Sequence, residues 1–133
     1  MASKIPDKYM DLLTDKVAFA NLATVMPDGS PQVTPLWFEF KDGIMRINTA
    51  VGRRKARNLD TNPKVALAIL DPTNPYRYLQ IRGHVVRSTK DGADANIDSL
   101  AKRYLGQDKY PFRAPGEVRV IYEIAIDSCQ GNG

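Results

Sequence analysis

The sequence predicts a domain that is mainly β, a small antiparallel barrel with a few helices packed outside it. Three observations support this prediction. Short apolar or alternating runs recur along the chain, turn sequences rich in glycine and proline separate them, and one long segment has clear helical periodicity. At 133 residues the chain has the size of one domain, and no linker, internal repeat or low-complexity segment divides residues 1–133.

The N-terminal half is predicted to contain one short helix and three strands. Residues 6–14 carry an apolar stripe at helical spacing. Two tight turns follow, Pro27-Asp28-Gly29-Ser30 and Lys41-Asp42-Gly43, in which glycine accepts a positive φ. These turns separate three predicted strands, at residues 17–26, 31–40 and 44–49.

The C-terminal half is predicted to add three strands and the clearest helix. The turn 71–75 joins the first two of these strands. Residues 91–105 have an apolar stripe at helical spacing, and Gly106 ends the helix. An irregular segment, residues 107–116, leads to the last strand. The three strands comprise residues 65–70, 76–87 and 118–126.

A basic segment follows the third strand and is the most informative stretch of the chain. It is Gly52-Arg53-Arg54-Lys55-Ala56-Arg57-Asn58-Leu59, and it is predicted to begin a short helix that Asn62-Pro63 ends. Its four cations crowd the first turns of that helix. A helix N-terminus already carries partial positive charge, and Arg57 also faces Arg53 and Arg54 at helical spacing. The arrangement therefore costs stability unless an anion neutralises it.

Two interpretations of the basic segment remain open. A phosphate group held by free backbone N–H groups and a pair of cations would neutralise the charge, and the position after a strand and a glycine favours such a site. The alternative is a solvated basic surface helix, which is the common meaning of a charge run.

Composition excludes several classes of function. The net charge of +4, from 19 basic and 15 acidic residues, favours an anionic ligand but does not by itself indicate nucleic acid. One cysteine (Cys129) and one histidine (His84) cannot supply a zinc or iron site. The sequence has no dinucleotide-binding glycine motif, no Walker loop and no Gly-x-Ser-x-Gly. Redox or group-transfer chemistry would therefore need a bound cofactor.

The sequence predicts a cytoplasmic protein. No apolar run approaches the roughly twenty residues of a membrane span. The polar start, Met1-Ala2-Ser3-Lys4-Ile5-Pro6-Asp7, lacks the apolar core of a signal peptide. Cys129 cannot form an internal disulfide and is expected in a polar tail at residues 127–133, which fits a reducing compartment.

Several segments, in this order, resemble the pyridoxamine-5′-phosphate-oxidase-like split-barrel flavoproteins. The basic segment resembles their phosphate-binding segment, and residues 18–40 resemble their first hairpin. Leu79-Gln80-Ile81-Arg82-Gly83-His84-Val85 resembles their long strand. Tyr104-Leu105-Gly106 followed by Tyr110-Pro111-Phe112 is similar to the branch that uses the deazaflavin coenzyme F-420, the flavin/deazaflavin oxidoreductases. The resemblance extends over residues 6–126.

This resemblance implies a homodimeric split β-barrel that binds its cofactor at the subunit interface. Arg54 and Lys55 would bind the cofactor phosphate, assisted by Arg53 and Arg57. The other implied cofactor-binding residues are Gln32, Val33, Thr34 and Pro35 at the ring system, Asn48 and Thr49 at the ribityl chain or ring, and Tyr78 from the partner subunit, with Tyr76 as a weaker candidate.

The resemblance also implies hydride transfer from reduced coenzyme F-420 to an electron-poor organic acceptor, such as a conjugated alkene, a quinone or a biliverdin-like tetrapyrrole. The extra cations Arg53 and Arg57 suit the poly-glutamyl tail of that coenzyme. An FMN-binding reductase, oxidase or flavin carrier of the same fold is the alternative. The chain ends without the C-terminal substrate-phosphate segment of true pyridoxamine phosphate oxidases, which argues against oxidation of vitamin B6.

Simpler structural roles are alternatives for several of these residues. Trp37 would be part of the core, Thr49 would cap the basic helix, and Tyr76 and Tyr78 would pack across strands. A barrel that binds single-stranded nucleic acid is the remote alternative. Since the cations concentrate on one short helix, a small anionic ligand is expected instead of nucleic acid. No catalytic residue is assigned from the sequence.

Overall fold

The computed structural model describes residues 5–133, which form one curled antiparallel sheet with three short or medium α-helices. A 3-10 turn at Asp7–Tyr9 precedes the first helix. The strands are β1 (Ala20–Val25), β2 (Pro31–Leu36), β3 (Phe38–Lys41), β4 (Ile44–Ala50), β5 (Lys64–Asp71), β6 (Asn74–Thr89) and β7 (Arg119–Asn132). The helices are α1 (Asp11–Thr14), α2 (Arg54–Thr61) and α3 (Ala93–Leu105). The mainly β fold class is confirmed.

The order of the strands forces the sheet to curl. They lie in the order β2-β1-β5-β6-β7-β4-β3, and every neighbouring pair is antiparallel. Strands β2 and β3 therefore lie at opposite edges of one sheet, although only Trp37 separates them in the chain. One residue can span only about 7 Å between its neighbours. The two edges must come together at Trp37, and the sheet becomes a half-barrel. We call this junction the seam.

The seam corrects the prediction of one continuous strand over residues 31–40. The chain instead changes partners at Trp37: Leu36 pairs with Ala20 of β1, whereas Phe38 pairs with Ile47 of β4. The periodicity did not reveal this change because side-chain alternation continues across it. Leu36 and Phe38 are both buried on the inner face of the barrel.

The interior of the half-barrel is the main hydrophobic core. It consists largely of aliphatic side chains from the inner faces of the strands, each contributing about 1.5–3 kcal/mol of burial. The fully buried ones include Leu22, Phe38, Met45, Ile47, Leu67, Ile69, Leu79, Ile81 and Ile124. This rigid interior fixes the ends of the strands from which the polar residues of the site project.

Helix α2 lies where the predicted basic helix was expected and ends at Thr61, with Asn62 as its C-cap. Its buried side chain Leu59 joins the barrel core. The Tyr122 hydroxyl, from the core side of β7, lies 2.8 Å from Asp60 Oδ1. Burial is the main cause that raises the pKa of Tyr122, and the contact with Asp60 raises it further. Asn58, fully buried, donates to the Thr24 hydroxyl at 3.0 Å. These contacts hold the basic helix at one end of the barrel.

Helix α3 packs outside the barrel and fastens the seam. It ends as predicted at Gly106, which has a φ of 72°. Its Tyr104 ring stacks on Trp37 with centroids 5.3 Å apart. The Tyr104 hydroxyl donates to the Ala18 carbonyl at 2.6 Å and accepts from the Phe38 N–H at 3.4 Å. One side chain thus binds the chain before β1 to the first residue of β3, and burial raises the pKa of its phenol.

The end of the chain differs from the predicted polar tail. Strand β7 continues to Asn132, and its last residues pair with β6, so that Cys129 lies opposite Ile81. Polar residues continue the strand because pairing with β6 satisfies their backbone groups. Position 131 requires glycine because a side chain there would overlap the ring of Tyr9.

The residues Met1–Lys4, on which the expectation of a cytoplasmic protein partly depends, lie outside the described residues. Within residues 5–133, no helix has the length and apolar character that crossing a membrane requires.

Candidate functional site

The candidate site is a cavity of about 200 Å³ at the seam. It lies between the end of β2, the end of β4, the beginning of α2, and the segment that connects α3 to β7. Its walls have two characters, one cationic and polar, the other aromatic. The lining residues are Phe19, Pro35, Leu36, Trp37, Asn48, Thr49, Arg53, Lys55, Ile97, Tyr110, Phe112 and Arg119.

Three cations form the polar wall. Arg53 is the N-cap residue of α2, and Lys55 is the second residue of that helix. Arg119 begins β7 and is nearly buried, at 4% exposure. Glu117 pairs with Arg119 at 3.1 Å and with Arg53 at 3.4 Å. Lys55 has no ion pair with any carboxylate among residues 5–133, so the wall keeps an excess of positive charge.

Both burial and this crowding act on the ammonium group of Lys55. Burial of the half-buried ammonium lowers its pKa, and the nearby charges of Arg53 and Arg119 lower it further. An anion that binds beside such a group stabilises its charged form, so the disfavoured charge favours anion binding. No side chain caps the N-terminus of α2, which leaves its first backbone N–H groups available to the same anion.

Asn48 holds the buried Arg119 in place. Its Oδ1 accepts from Arg119 Nε at 2.9 Å, and its amide N–H₂ donates to the Ala93 carbonyl at 2.8 Å and to Asn96 Oδ1 at 3.0 Å. The whole amide is thus used within the protein. Asn48 lines the cavity, and these contacts give it a role in orienting Arg119 toward the cavity.

Thr49 differs from its neighbour because its hydroxyl lacks a partner. The side chain is 1% exposed and lines the cavity, and among the described residues no group is within hydrogen-bonding distance of Oγ1. The alternative role of Thr49, as the cap of the basic helix, is wrong. Val51 and Gly52 intervene, Gly52 with a φ of 96°, and Arg53 becomes the N-cap residue. A buried hydroxyl without a partner is costly, and a ligand in the cavity would supply one.

The second wall is aromatic. The ring of Trp37 stacks on Tyr104 and makes a T-shaped contact with the ring of Tyr110, with centroids 6.0 Å apart in the second pair. Phe112 extends the row, 5.7 Å from Tyr110. The Arg119 guanidinium lies 5.0 Å from the centre of the Tyr110 ring and so joins the two walls. The expected core role of Trp37 is replaced by a half-buried position on this wall.

Five of the predicted site residues come together at this cavity in one chain: Pro35, Asn48, Thr49, Arg53 and Lys55. The others lie elsewhere in the same chain. Gln32 and Thr34 face the barrel interior, where Gln32 accepts from the Thr24 hydroxyl at 3.1 Å. Val33 lies on the outer face and is 64% exposed. Tyr78 is 38% exposed on the outer face of β6, whereas Arg54 and Arg57 belong to α2 without lining the cavity.

Sequence reasoning missed the aromatic wall and Arg119. Tyr110 and Phe112 belong to the irregular segment, which has no periodicity to place its side chains. Arg119 did give a signal. It is a cation inside the alternating apolar strand that begins near Val118, and a buried charge in such a strand requires a partner.

Metal-binding side chains do not assemble in the described part of the chain: no group of three or more His, Cys, Asp or Glu lies together there. His84 lies 2.9 Å from Asp127 on the protein surface, away from the cavity.

Comparisons with known proteins identify the family and the fold. The sequence profile of the pyridoxamine 5′-phosphate oxidase family matches residues 5–132. A solved structure named as an F-420 reductase is 36% identical, with a TM-score of 0.83, and the match covers 95% of this chain and 98% of that one. No curated protein matches the chain.

Two more distant solved structures support the fold alone. A conserved hypothetical protein from Mycobacterium tuberculosis is 20% identical with a TM-score of 0.71, covering 96% of this chain and 84% of that one. A putative pyridoxamine 5′-phosphate oxidase from Listeria innocua is 17% identical with a TM-score of 0.70, covering 94% and 95%.

The charge excess at the cavity generates a prediction for Lys55→Met. Because methionine keeps the apolar stem and removes the disfavoured charge, we expect the ligand-free protein to become more stable, by about 0.5 kcal/mol or roughly 2 °C in Tm after allowance for solvent screening. Since the pKa of Lys55 is lowered in the folded protein, the stability of the wild type rises as the pH rises through that lowered value. The difference between the two proteins is therefore largest at neutral pH and disappears in alkali.

Thermal unfolding with and without inorganic pyrophosphate measures both effects. The wild type should be stabilised by pyrophosphate more than Lys55→Met is. Lys41→Met, which removes an exposed lysine at the end of β3, should behave like the wild type. Equal stabilisation of all three proteins by pyrophosphate would contradict the binding of an anion beside Lys55.

Proposed function

The chain belongs to the pyridoxamine 5′-phosphate oxidase family, whose members are in general flavin-binding oxidoreductases, and from this premise we propose that it is an oxidoreductase dependent on coenzyme F-420. The reaction is the transfer of a hydride from the reduced deazaflavin to an electron-poor organic acceptor. Conjugated alkenes, quinones and biliverdin-like tetrapyrroles belong to this acceptor class.

The observation that carries the proposal is the excess positive charge beside a partnerless hydroxyl. Arg53, Lys55 and Arg119 line one cavity, where burial and, after it, the charges of the two arginines lower the pKa of Lys55. Thr49 Oγ1 is buried there without a partner. A phosphate group would neutralise the cations and accept hydrogen bonds from the backbone, the cations and this hydroxyl together. Such a fit is expected for a cofactor with a phosphorylated side chain.

The aromatic wall fits the other end of such a cofactor. A flavin or deazaflavin ring system is planar and largely apolar, and planar rings pack favourably against aromatic side chains. Pro35, Trp37 and Tyr110 line the same cavity as the cations, and Arg119 contacts the ring of Tyr110. The cavity therefore offers both charged and aromatic groups to one ligand.

Two features favour F-420 over FMN. The named F-420 reductase is 36% identical over nearly the whole of both chains. Arg54 and Arg57, which form no ion pair with other residues in the range 5–133, lie on the same helix as Lys55. These two cations suit a ligand with several negative charges, such as the poly-glutamyl tail, better than they suit a single phosphate.

The residues have distinct roles in this proposal. When bound, the reduced deazaflavin supplies a hydride from its C5. Lys55, Arg53 and Arg119 fix the anionic end and so set the position of the ring. Trp37 and Tyr110 exclude water from one side of the cavity and orient the ring against the acceptor. Rate acceleration then comes mainly from positioning two reactants in contact.

We propose further that the protein acts as a homodimer. A cavity of about 200 Å³ is smaller than the roughly 300–1,000 Å³ of ordinary ligand pockets. Strand β2 is a sheet edge, and Pro35 lies on it beside the cavity. A shallow groove on the outer face of β2, β1, β5 and β6 is lined by Val33, by small residues such as Ala23 and Ala66, and by Gln80. A second copy seated there would complete the cavity and bring Tyr78 toward the cofactor.

Calorimetric titration of the purified protein with F-420 and with FMN tests the cofactor. We expect tight binding of F-420, weaker binding of FMN, and loss of about tenfold to a hundredfold in F-420 affinity in Lys55→Met, since one charge-assisted contact is worth about 1.5–3 kcal/mol. Lys41→Met is the matched control and should bind like the wild type. Oxidation of reduced F-420 by an acceptor series then tests turnover.

Other results of this titration have definite meanings. Preference for FMN would contradict the F-420 assignment and support a flavin-dependent reductase, oxidase or carrier. Failure to bind either cofactor would contradict the proposed function.

Sedimentation equilibrium of Val33→Glu tests the dimer. The substitution places a charge beside the small side chains Ala23 and Ala66 of the outer groove, so we expect a monomer with weakened F-420 binding, whereas the wild type is dimeric. Val86→Glu is the control, because Val86 is 52% exposed and lies outside the groove. A monomeric wild type, or a Val33→Glu protein that remains dimeric, would show that this face is not the interface.

A further inference from the structure

The segment that connects α3 to β7 forms part of the aromatic wall although it has no regular structure. We call residues 107–118, which include no helix or strand, the aromatic arm. It contributes Tyr110 and the 64% exposed Phe112 to the cavity. A segment without a hydrogen-bonded ladder needs another restraint to hold two rings in a defined position.

Asp98 supplies that restraint. It lies on α3 with a side chain that is 17% exposed. Its Oδ1 accepts from the backbone N–H of Tyr110 at 2.8 Å and from Arg113 Nη2 at 3.1 Å. Both contacts are hydrogen bonds to a charged acceptor, which is the stronger class.

The neighbouring ion pairs are weaker restraints. Arg113 also pairs with Asp94 at 3.1 Å, but the side chain of Asp94 is 69% exposed. Lys109 approaches Asp98 at 3.8 Å with a side chain that is 85% exposed. Exposed pairs of this kind contribute little. The partly buried Asp98 carboxylate is therefore the group that fixes the arm to the helix.

The position of the Tyr110 ring follows from this anchor. One edge of the ring contacts Trp37 at 6.0 Å between centroids, and Phe112 lies 5.7 Å away. The Arg119 guanidinium lies over the same ring at 5.0 Å. A shift of the Tyr110 backbone would move a ring that contacts the seam, the rest of the arm and a cation of the anion site at once.

We propose that Asp98 is a positioning residue for the proposed reaction. Its carboxylate contacts neither reactant. It fixes Tyr110, and through Tyr110 and Phe112 it fixes the wall against which the cofactor ring packs. The kinetic part of this inference rests on the proposed function, whereas the structural part, the placement of the arm against Trp37, does not.

Two substitutions at Asp98 and one at Asp94 separate positioning from general stability. Asp98→Ala removes both hydrogen bonds. Asp98→Asn keeps an oxygen that accepts from the Tyr110 N–H and loses only the charge. Asp94→Ala removes the exposed pair with Arg113 and serves as the matched control. Thermal unfolding establishes that each variant is folded at the temperature of the assays.

The first measurement is acrylamide quenching of tryptophan fluorescence in the ligand-free protein. Trp37 is the single tryptophan of the chain, so the signal reports on the seam alone. We expect Asp98→Ala to make Trp37 more accessible, Asp98→Asn to restore most of the protection, and Asp94→Ala to match the wild type. Unchanged quenching in Asp98→Ala, or an equal change in Asp94→Ala, would overturn the proposal.

The second measurement is steady-state oxidation of reduced F-420 with a simple naphthoquinone as the acceptor. In Asp98→Ala we expect the KM for reduced F-420 to rise about tenfold, as for loss of one good contact, with kcat changed much less. Asp98→Asn should recover the wild-type KM. A fall in kcat at constant KM, or no recovery in Asp98→Asn, would contradict a positioning role.

The two measurements keep this inference separate from the proposed function. If the wild type neither binds nor oxidises reduced F-420, the proposed function fails and the quenching of Trp37 alone decides whether Asp98 holds the arm.

Discussion

The junction at Trp37 is the constraint on which the rest of the structure depends. Because β2 and β3 lie at opposite edges of one sheet and a single residue joins them, the sheet must curl until its edges meet. The Tyr104 hydroxyl and ring fasten that meeting point to α3. The cavity forms where the seam, the beginning of α2 and the aromatic arm come together. The position of the site thus follows from the closure of the barrel.

The charges at this position oppose stability and favour binding. A buried arginine and a half-buried lysine in close proximity are expensive unless each has a partner. The protein partners Arg119 through Asn48 and Glu117, and Asn48 is itself held by α3. Lys55 receives no such partner among residues 5–133, and burial together with the charges of Arg53 and Arg119 lowers its pKa. This difference between the two cations is expected for a site in which Lys55 binds an anion while Arg119 is held rigidly in place.

The sequence was sufficient where structure depends on local chemistry and insufficient where it depends on distant pairing. Turn residues, the Gly106 stop and the basic helix were predicted, since φ preferences and periodicity determine them locally. The strand break at Trp37 and the extension of β7 to Asn132 were not predicted. Side-chain alternation continues through a change of strand partner, and the polar residues at the end of β7 lack the apolar pattern of a strand. In the site, Lys55 and Thr49 were expected, but Arg119 and Tyr110 come from distant segments that only the folded chain brings to the cavity.

The central claim is that the cofactor ring lies beside Trp37 while its anionic end lies at α2. Because the chain has one tryptophan, its indole N–H gives one cross-peak in a ¹H–¹⁵N correlation spectrum. The chemical shift of this peak during titration with F-420 tests the claim directly. We predict a saturable shift of this peak, caused by the nearby ring, that inorganic pyrophosphate reverses by competition without reproducing it. Binding of F-420 that leaves the indole peak in place, or that pyrophosphate fails to displace, would contradict the account.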